Sequence, residues 1–179
     1  MSHRRVASLS MIAVGAITSV LLSSVPASAE IVQLTCLGTG ANHYEPGLTN
    51  TPRLTTATTT AVLGPCIGVP VGIVSATYET LGTGPLSCTL VPAATAPAVT
   101  TINWNDGTHS RALLVASVVD RPAGQIVITG TFTVVEGRFI GATIVQTGTL
   151  LQTDLLGCFT LEGVSDVAGP VTLTVTKLF

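Results

Sequence analysis

The sequence predicts an all-β protein, an antiparallel β-sandwich or barrel of about eight or nine strands braced by two disulfides. Three observations carry that reading. Thr supplies about one residue in five after position 30, with abundant Val, Ile and Gly, and such residues suit a pleated, half-buried surface. Apolar and polar residues alternate with period two. In "GQIVITGTFTVVEG", Ile126, Ile128, Phe132 and Val134 fall on one face and Thr129, Thr131 and Thr133 on the other. In "VTLTVTKLF", Val171, Leu173 and Val175 alternate with Thr172, Thr174 and Thr176. That period marks a strand with one dry and one wet face. Turn signals also punctuate the alternating runs at the short intervals of a hairpin-connected sheet.

The first segment stands apart. Arg4 and Arg5 precede an apolar, small-residue run from about Ala7 to Leu22, and Ala27-Ser28-Ala29 offers a small-x-small cleavage site before Glu30. This is the pattern of a secretory signal peptide over residues 1–29. The arginine pair leaves the export route, general secretory or twin-arginine, open. A single domain is expected over 30–179.

Within it, strands are expected at Ile31–Gly38, Arg53–Leu63, Val71–Leu81, Leu86–Val91, Val99–Trp104, Ser110–Val118, Gln125–Val135, Phe139–Leu151 and Val171–Leu178. Pro46-Gly47, Asn105–Gly107, Arg121–Gly124 and Glu136–Arg138 supply the turns. Val135–Arg138 reads as a tight hairpin between the two longest strands. Val91–Ala98, "VPAATAPA", reads as a long loop or linker.

Composition excludes some functions. Charged residues are 9% of the chain. After the signal, only Arg53, Arg111, Arg121, Arg138 and Lys177 are basic, so there is no footprint for nucleic-acid phosphates. No further apolar run approaches the length of a spanning helix, so no membrane partner is expected after signal cleavage. Cys36, Cys66, Cys88 and Cys158 form an even set in an exported chain, the signature of two disulfides. Three pairings are open. Chain order and strand position favour Cys36–Cys66 with Cys88–Cys158. No CxxC or CxH spacing supports a metal site, and no cofactor is implied.

"WNDGTHS", Trp104–Ser110, places Asp106, His109 and Ser110 within seven residues. Asn-Asp-Gly between alternating segments is the chemistry of a hairpin turn needing positive φ at Gly107. Adjacent strand residues point to opposite faces, so His109 and Ser110 diverge and no triad is expected. Trp104 and His109 flank the turn, and Tyr44 lies in the polar "NHYEPG". These three are the candidate binding residues. No catalytic residue is assigned. The runs Thr55–Thr60, Thr129/131/133 and Thr172/174/176 are expected to line wet sheet faces able to meet a repetitive polymer or a protein.

A Cys in the first strand, "YEPGLTNTP", "WNDGTHS" and "GQIVITGTFTVVEGRFIGA" together resemble small secreted proteins of actinobacteria such as Streptomyces, from about Cys36 to the C-terminus. The resemblance implies an exported all-β domain with two disulfides and carries no catalytic residues. The expected function is non-enzymatic binding of an extracellular polymer or protein. Two alternatives stand beside it. One is a hydrolase with paired carboxylates at a sandwich end. The other is a small-ligand carrier or inhibitor, with an apolar pocket or a presented loop around Cys66 in "TAVLGPCIGVPVG".

Overall fold

The structure is a computed structural model that describes residues 31–89, 98–122, 125–150 and 152–177. Residues 1–30, where the signal peptide is expected, most of the expected Val91–Ala98 linker and the tip of the Arg121–Gly124 turn lie outside the described residues. Eight antiparallel strands run in order around a closed barrel: β1 (Val32–Leu48), β2 (Arg53–Val69), β3 (Ala76–Leu86), β4 (Val99–Trp104), β5 (His109–Asp120), β6 (Ile126–Gly137), β7 (Thr143–Leu150) and β8 (Val164–Lys177). Each strand pairs with the next, and β8 returns to pair with β1 along Val32↔Lys177 to His43↔Asp166. Among the described residues the ring closes, although β4 pairs only with Ala76–Leu81 of β3 and His109–Leu113 of β5. Of the two architectures the sequence left open, the barrel is the one formed.

Several boundaries differ from expectation. The expected Val71–Leu81 is replaced by β3, shifted to Ala76–Leu86 because residues 70–75 form the turn that leads into it; of the expected Leu86–Val91, residues 87–89 are not strand and 90–91 lie outside the described residues. Val71 is exposed there while Ile73 tucks under the barrel. β1 runs ten residues past Gly38 to Leu48 and absorbs "NHYEPG". Polar residues hid that strand, because an interior with polar groups breaks the apolar alternation. β1 and β2, at 17 residues each, are the longest strands, so the Val135–Arg138 hairpin does not join the longest pair. The turn after β6 runs on to Ala142, and Phe139 sits within it at φ 62°. Its ring is buried, and this packing holds a non-glycine residue in a left-handed conformation. The Cys66 stretch is not a presented loop. It lies in β2, where the register steps from Cys36↔Cys66 to Gly38↔Leu63 across a bulge at Gly64-Pro65. Pro65, lacking an N–H, fits such a break in the ladder.

The disulfides are Cys36–Cys66 and Cys88–Cys158. The first joins directly opposed residues of β1 and β2 inside the barrel. The second fastens the chain just beyond β3 to the 3-10 helix Gln152–Phe159, which leads into β8.

The interior has two dry ends. At one, Val32, Leu34, Leu63, Ile73, Trp104, Phe139 and Val175 pack around Cys36–Cys66. Trp104 and Phe139 meet edge to face with centroids 5.2 Å apart. At the other end, Tyr44, Leu48, Leu86, Ile126, Leu150 and Val164 pack around Cys88–Cys158. A different population of residues occupies the middle.

Candidate functional site

Between the two apolar ends, the inward positions of the barrel are small. Gly40 on β1, Ala57 on β2, Gly82 and Gly84 on β3, Gly130 on β6 and Gly148 on β7 all line one cavity of about 160 Å³. In an eight-stranded barrel, full-sized inward side chains fill the interior. Removing them along one belt leaves room for a guest. The glycines are not equivalent. A Cβ on Gly38 would lie 2.1 Å from the Val62 carbonyl oxygen, so that glycine serves close strand approach. A Cβ on Gly82 would meet only the Ala98 methyl, and one on Gly148 only a Val171 methyl, each at 3.5 Å. Those two contacts are ordinary, so a side chain would fit and glycine there keeps space open.

Among the described residues, the lining is mixed but uncharged. Leu86, Leu114, Ile128, Phe132, Leu150 and Val171 give it an apolar wall. Its polar groups are largely spoken for. The Thr59 hydroxyl donates to Asn42 Oδ1 at 2.6 Å. Thr80 and Thr100 share a hydroxyl–hydroxyl bond of 2.6 Å. Gln146 differs: its Oε1 is buried without a hydrogen-bond partner. Its cross-strand neighbours are Gly130 and Leu173, and the Phe132 ring and a Leu114 methyl lie over Gly130. Tyr44 lines the same cavity, and burial pushes its hydroxyl pKa up to about 12, so it stays neutral there.

The three sequence-based candidates therefore separate. Tyr44 is at the cavity. Trp104 is a buried plug at the far end; its Nε1 donates to Ser110 Oγ at 2.9 Å, and Ser110 Oγ donates in turn to the Arg138 carbonyl. His109 is exposed on the outer wall opposite Asn103. His109 and Ser110 face opposite sides, as alternation required. "WNDGTHS" is a turn: Gly107 takes φ 81° and its N–H reaches the Trp104 carbonyl at 3.0 Å. Thr108 donates to Asp106 Oδ1 through both N–H (3.0 Å) and hydroxyl (2.6 Å), and Arg138 pairs with the same carboxylate. The Thr108 hydroxyl bond first, and then its N–H, hold the Asp106 carboxyl below its ordinary range. Asn105 pins the 70–75 turn, accepting from Val74 N–H and donating to the Gly72 carbonyl.

Gln146 and the glycine belt were missed by sequence reading. The signal was present: glycines recur on the dry face of β1, β3, β6 and β7, where a filled core would carry Val or Leu.

The described carboxylates lie elsewhere; the Asp154 side chain is outside the described residues. Glu45, Glu79, Asp106, Asp120, Glu136, Glu162 and Asp166 are all exposed, and none lines the cavity. Among the described residues, no three His, Cys, Asp or Glu side chains gather to hold a metal. One exposed pair stands out, His43 Nδ1 to Asp166 Oδ1 at 2.7 Å, linking β1 to β8. Its hydrogen bond and charge raise the His43 pKa above 6.5, and the same hydrogen bond lowers that of Asp166 below 3.8. The histidine contribution to stability is full below its unfolded pKa and fades as pH rises through the raised value. The aspartate contribution is full above its unfolded pKa and fades as pH falls through the lowered value. The pair thus acts fully between about 3.8 and 6.5. Asp166→Asn should return the His43 titration midpoint toward its ordinary value, read by proton NMR of the imidazole. An unchanged midpoint would show that the pair does not form in solution.

No helix among the described residues is long and apolar enough to cross a membrane. Compared with known proteins, the chain matches no family model, no curated protein and no solved structure.

Proposed function

We propose that this is a secreted small-ligand-binding barrel, acting as a carrier or a sequestering protein. The observation that carries the proposal is the uncharged cavity held open by inward glycines in an otherwise close-packed interior. Protein interiors normally leave few voids larger than a water molecule, and each glycine in a strand weakens it. A belt of them at one level costs stability and makes sense where the space is used. An apolar cavity of about 150 Å³ takes a benzene-sized guest, so the occupant is expected to be about one ring in size. The disulfides and the signal-like first segment support action outside the cell.

The test uses ring-sized probes. Toluene and indole should bind the oxidised protein saturably in ligand-observed NMR. Gly82→Leu and Gly148→Leu place side chains in the cavity and should abolish binding, with the melting temperature unchanged or raised. Binding that survives both substitutions would place the site elsewhere and sink the proposal.

A second reading rests on the outer wall. Across β6, β7, β8 and β1, Thr133–Thr143–Thr176–Gln33, Thr131–Val145–Thr174–Thr35 and Thr129–Thr147–Thr172–Leu37 form three adjacent uncharged rows. Thr56, Thr58 and Thr60 also face out, whereas Thr55 is buried and Thr59 lines the cavity. A repetitive extracellular polymer or a protein would meet such a face. Saturable depletion of the protein by actinobacterial cell wall, chitin or cellulose, lost in Thr147→Arg, would support this reading. No depletion by any polymer would remove polymer binding.

A further inference from the structure

We infer that the cavity selects a neutral, ring-sized ligand carrying an O–H or N–H donor, and that Gln146 is the residue that reads that donor. The inference rests on the cavity being a ligand site and adds the chemistry of the ligand.

Neutrality follows from the walls. Among the described residues, no side chain lining the cavity carries a formal charge, and a buried ion without a partner is strongly disfavoured. An anionic or cationic guest would find no counter-charge.

The donor requirement follows from which polar groups are already engaged. Asn42 Oδ1 accepts from Thr59, and Thr80 and Thr100 satisfy each other. Each is engaged without a ligand, although two hydroxyls sharing one bond keep one O–H unspent. Gln146 Oε1 is buried and unpartnered, and buried acceptors are seldom left that way. Its strand neighbour on the same face is Gly148, and Gly130 lies directly opposite across β6. Both are cavity-lining glycines. A Cβ on Gly130 would meet the Phe132 ring at 2.8 Å, so that side is filled, and the room on this face is the room Gly148 opens. A ligand hydroxyl or ring N–H placed there completes the acceptor, while its apolar body rests against Phe132, Leu114 and Val171. A purely hydrocarbon guest fits the same volume and leaves Oε1 orphaned.

Phenol and toluene test this, being nearly equal in shape and differing in the donor. Each is titrated into the oxidised wild-type protein, Gln146→Leu and Gln146→Met, with melting curves to establish that the variants fold. Water favours phenol over toluene as a solute, so hydrophobic transfer alone ranks toluene first. In the wild type, phenol should bind at least as tightly as toluene. Loss of a hydrogen bond to a buried acceptor should weaken phenol by roughly tenfold in both variants and leave toluene within about twofold. If toluene binds more tightly than phenol in the wild type, or if the variants do not change the ranking, Gln146 does not read a donor; the cavity would remain a ligand site. If neither probe binds the wild type, this inference and the carrier reading both fall.

Discussion

Replacing Cys88 and Cys158 together by alanine is expected to lower the melting temperature by roughly 10–15 °C. The bridge spans 70 residues and ties the end of β3 to the 3-10 helix before β8. By loop-closure entropy, a loop of that length is worth about 4.4 kcal/mol to the folded state, and the 30-residue Cys36–Cys66 loop about 3.6 kcal/mol. Together they make about 8 kcal/mol, comparable with the whole net stability of an ordinary domain at about 5–15 kcal/mol. Full reduction should therefore unfold the chain near 37 °C, whereas each paired alanine variant should remain folded and melt earlier. Thermal melts with and without reductant provide the measurement. A melting temperature indifferent to reductant would mean that the noncovalent barrel carries the stability and the bridges do not.

Trp104→Ala should cost about 3–5 kcal/mol. The indole is 3% exposed at the plugged end of the barrel. Removing it strips the edge-to-face contact with Phe139 and leaves Ser110 Oγ without its indole donor. Phe139 already holds a left-handed backbone conformation, which its buried ring contacts maintain. The turn after β6 is thus expected to loosen along with the core, and denaturant melts should show the loss. Trp104→Phe keeps most of the packing and should cost clearly less. Equal, small effects for both would mean that this end is not the close-packed plug described here.

The barrel was legible in the sequence where each strand had one apolar and one wet face. β4 matches its expected limits, Val99–Trp104. The expected span of β6, Gln125–Val135, agrees to within two residues at each end. The outer Thr of β6 and β8 lie where alternation put them. The disulfide pairing is the one that chain order favoured, although Cys88 lies just past β3 and Cys158 in the 3-10 helix rather than on strands. The failures share a physical cause. β1 at Gly40 and Asn42 and the middle of β3 at Thr80, Gly82 and Gly84 carry small or polar residues inward, where a filled core would place aliphatic residues. Alternation fades there, and "NHYEPG" reads as a loop. The sequence signal was weakest along the parts of β1 and β3 that line the cavity, because small and polar inward residues there replace the apolar side chains that announce a strand. Gln146 was invisible for the same reason, a polar residue at an inward position of β7. Closure itself cannot be read from alternation, since a sandwich and a barrel share the period of two.

The central claim is that a guest enters the barrel between its two dry ends. Chemical-shift mapping tests it most directly: phenol is titrated into the 15N-labelled, oxidised protein and the perturbed backbone amides are located. The account predicts saturable shifts concentrated at Gly40, Gly82, Gly130, Gln146 and Gly148, with the outer positions Thr131, Thr174 and Thr35 unmoved. Shifts confined to the outer wall, or none at concentrations that saturate comparable cavities, would contradict it.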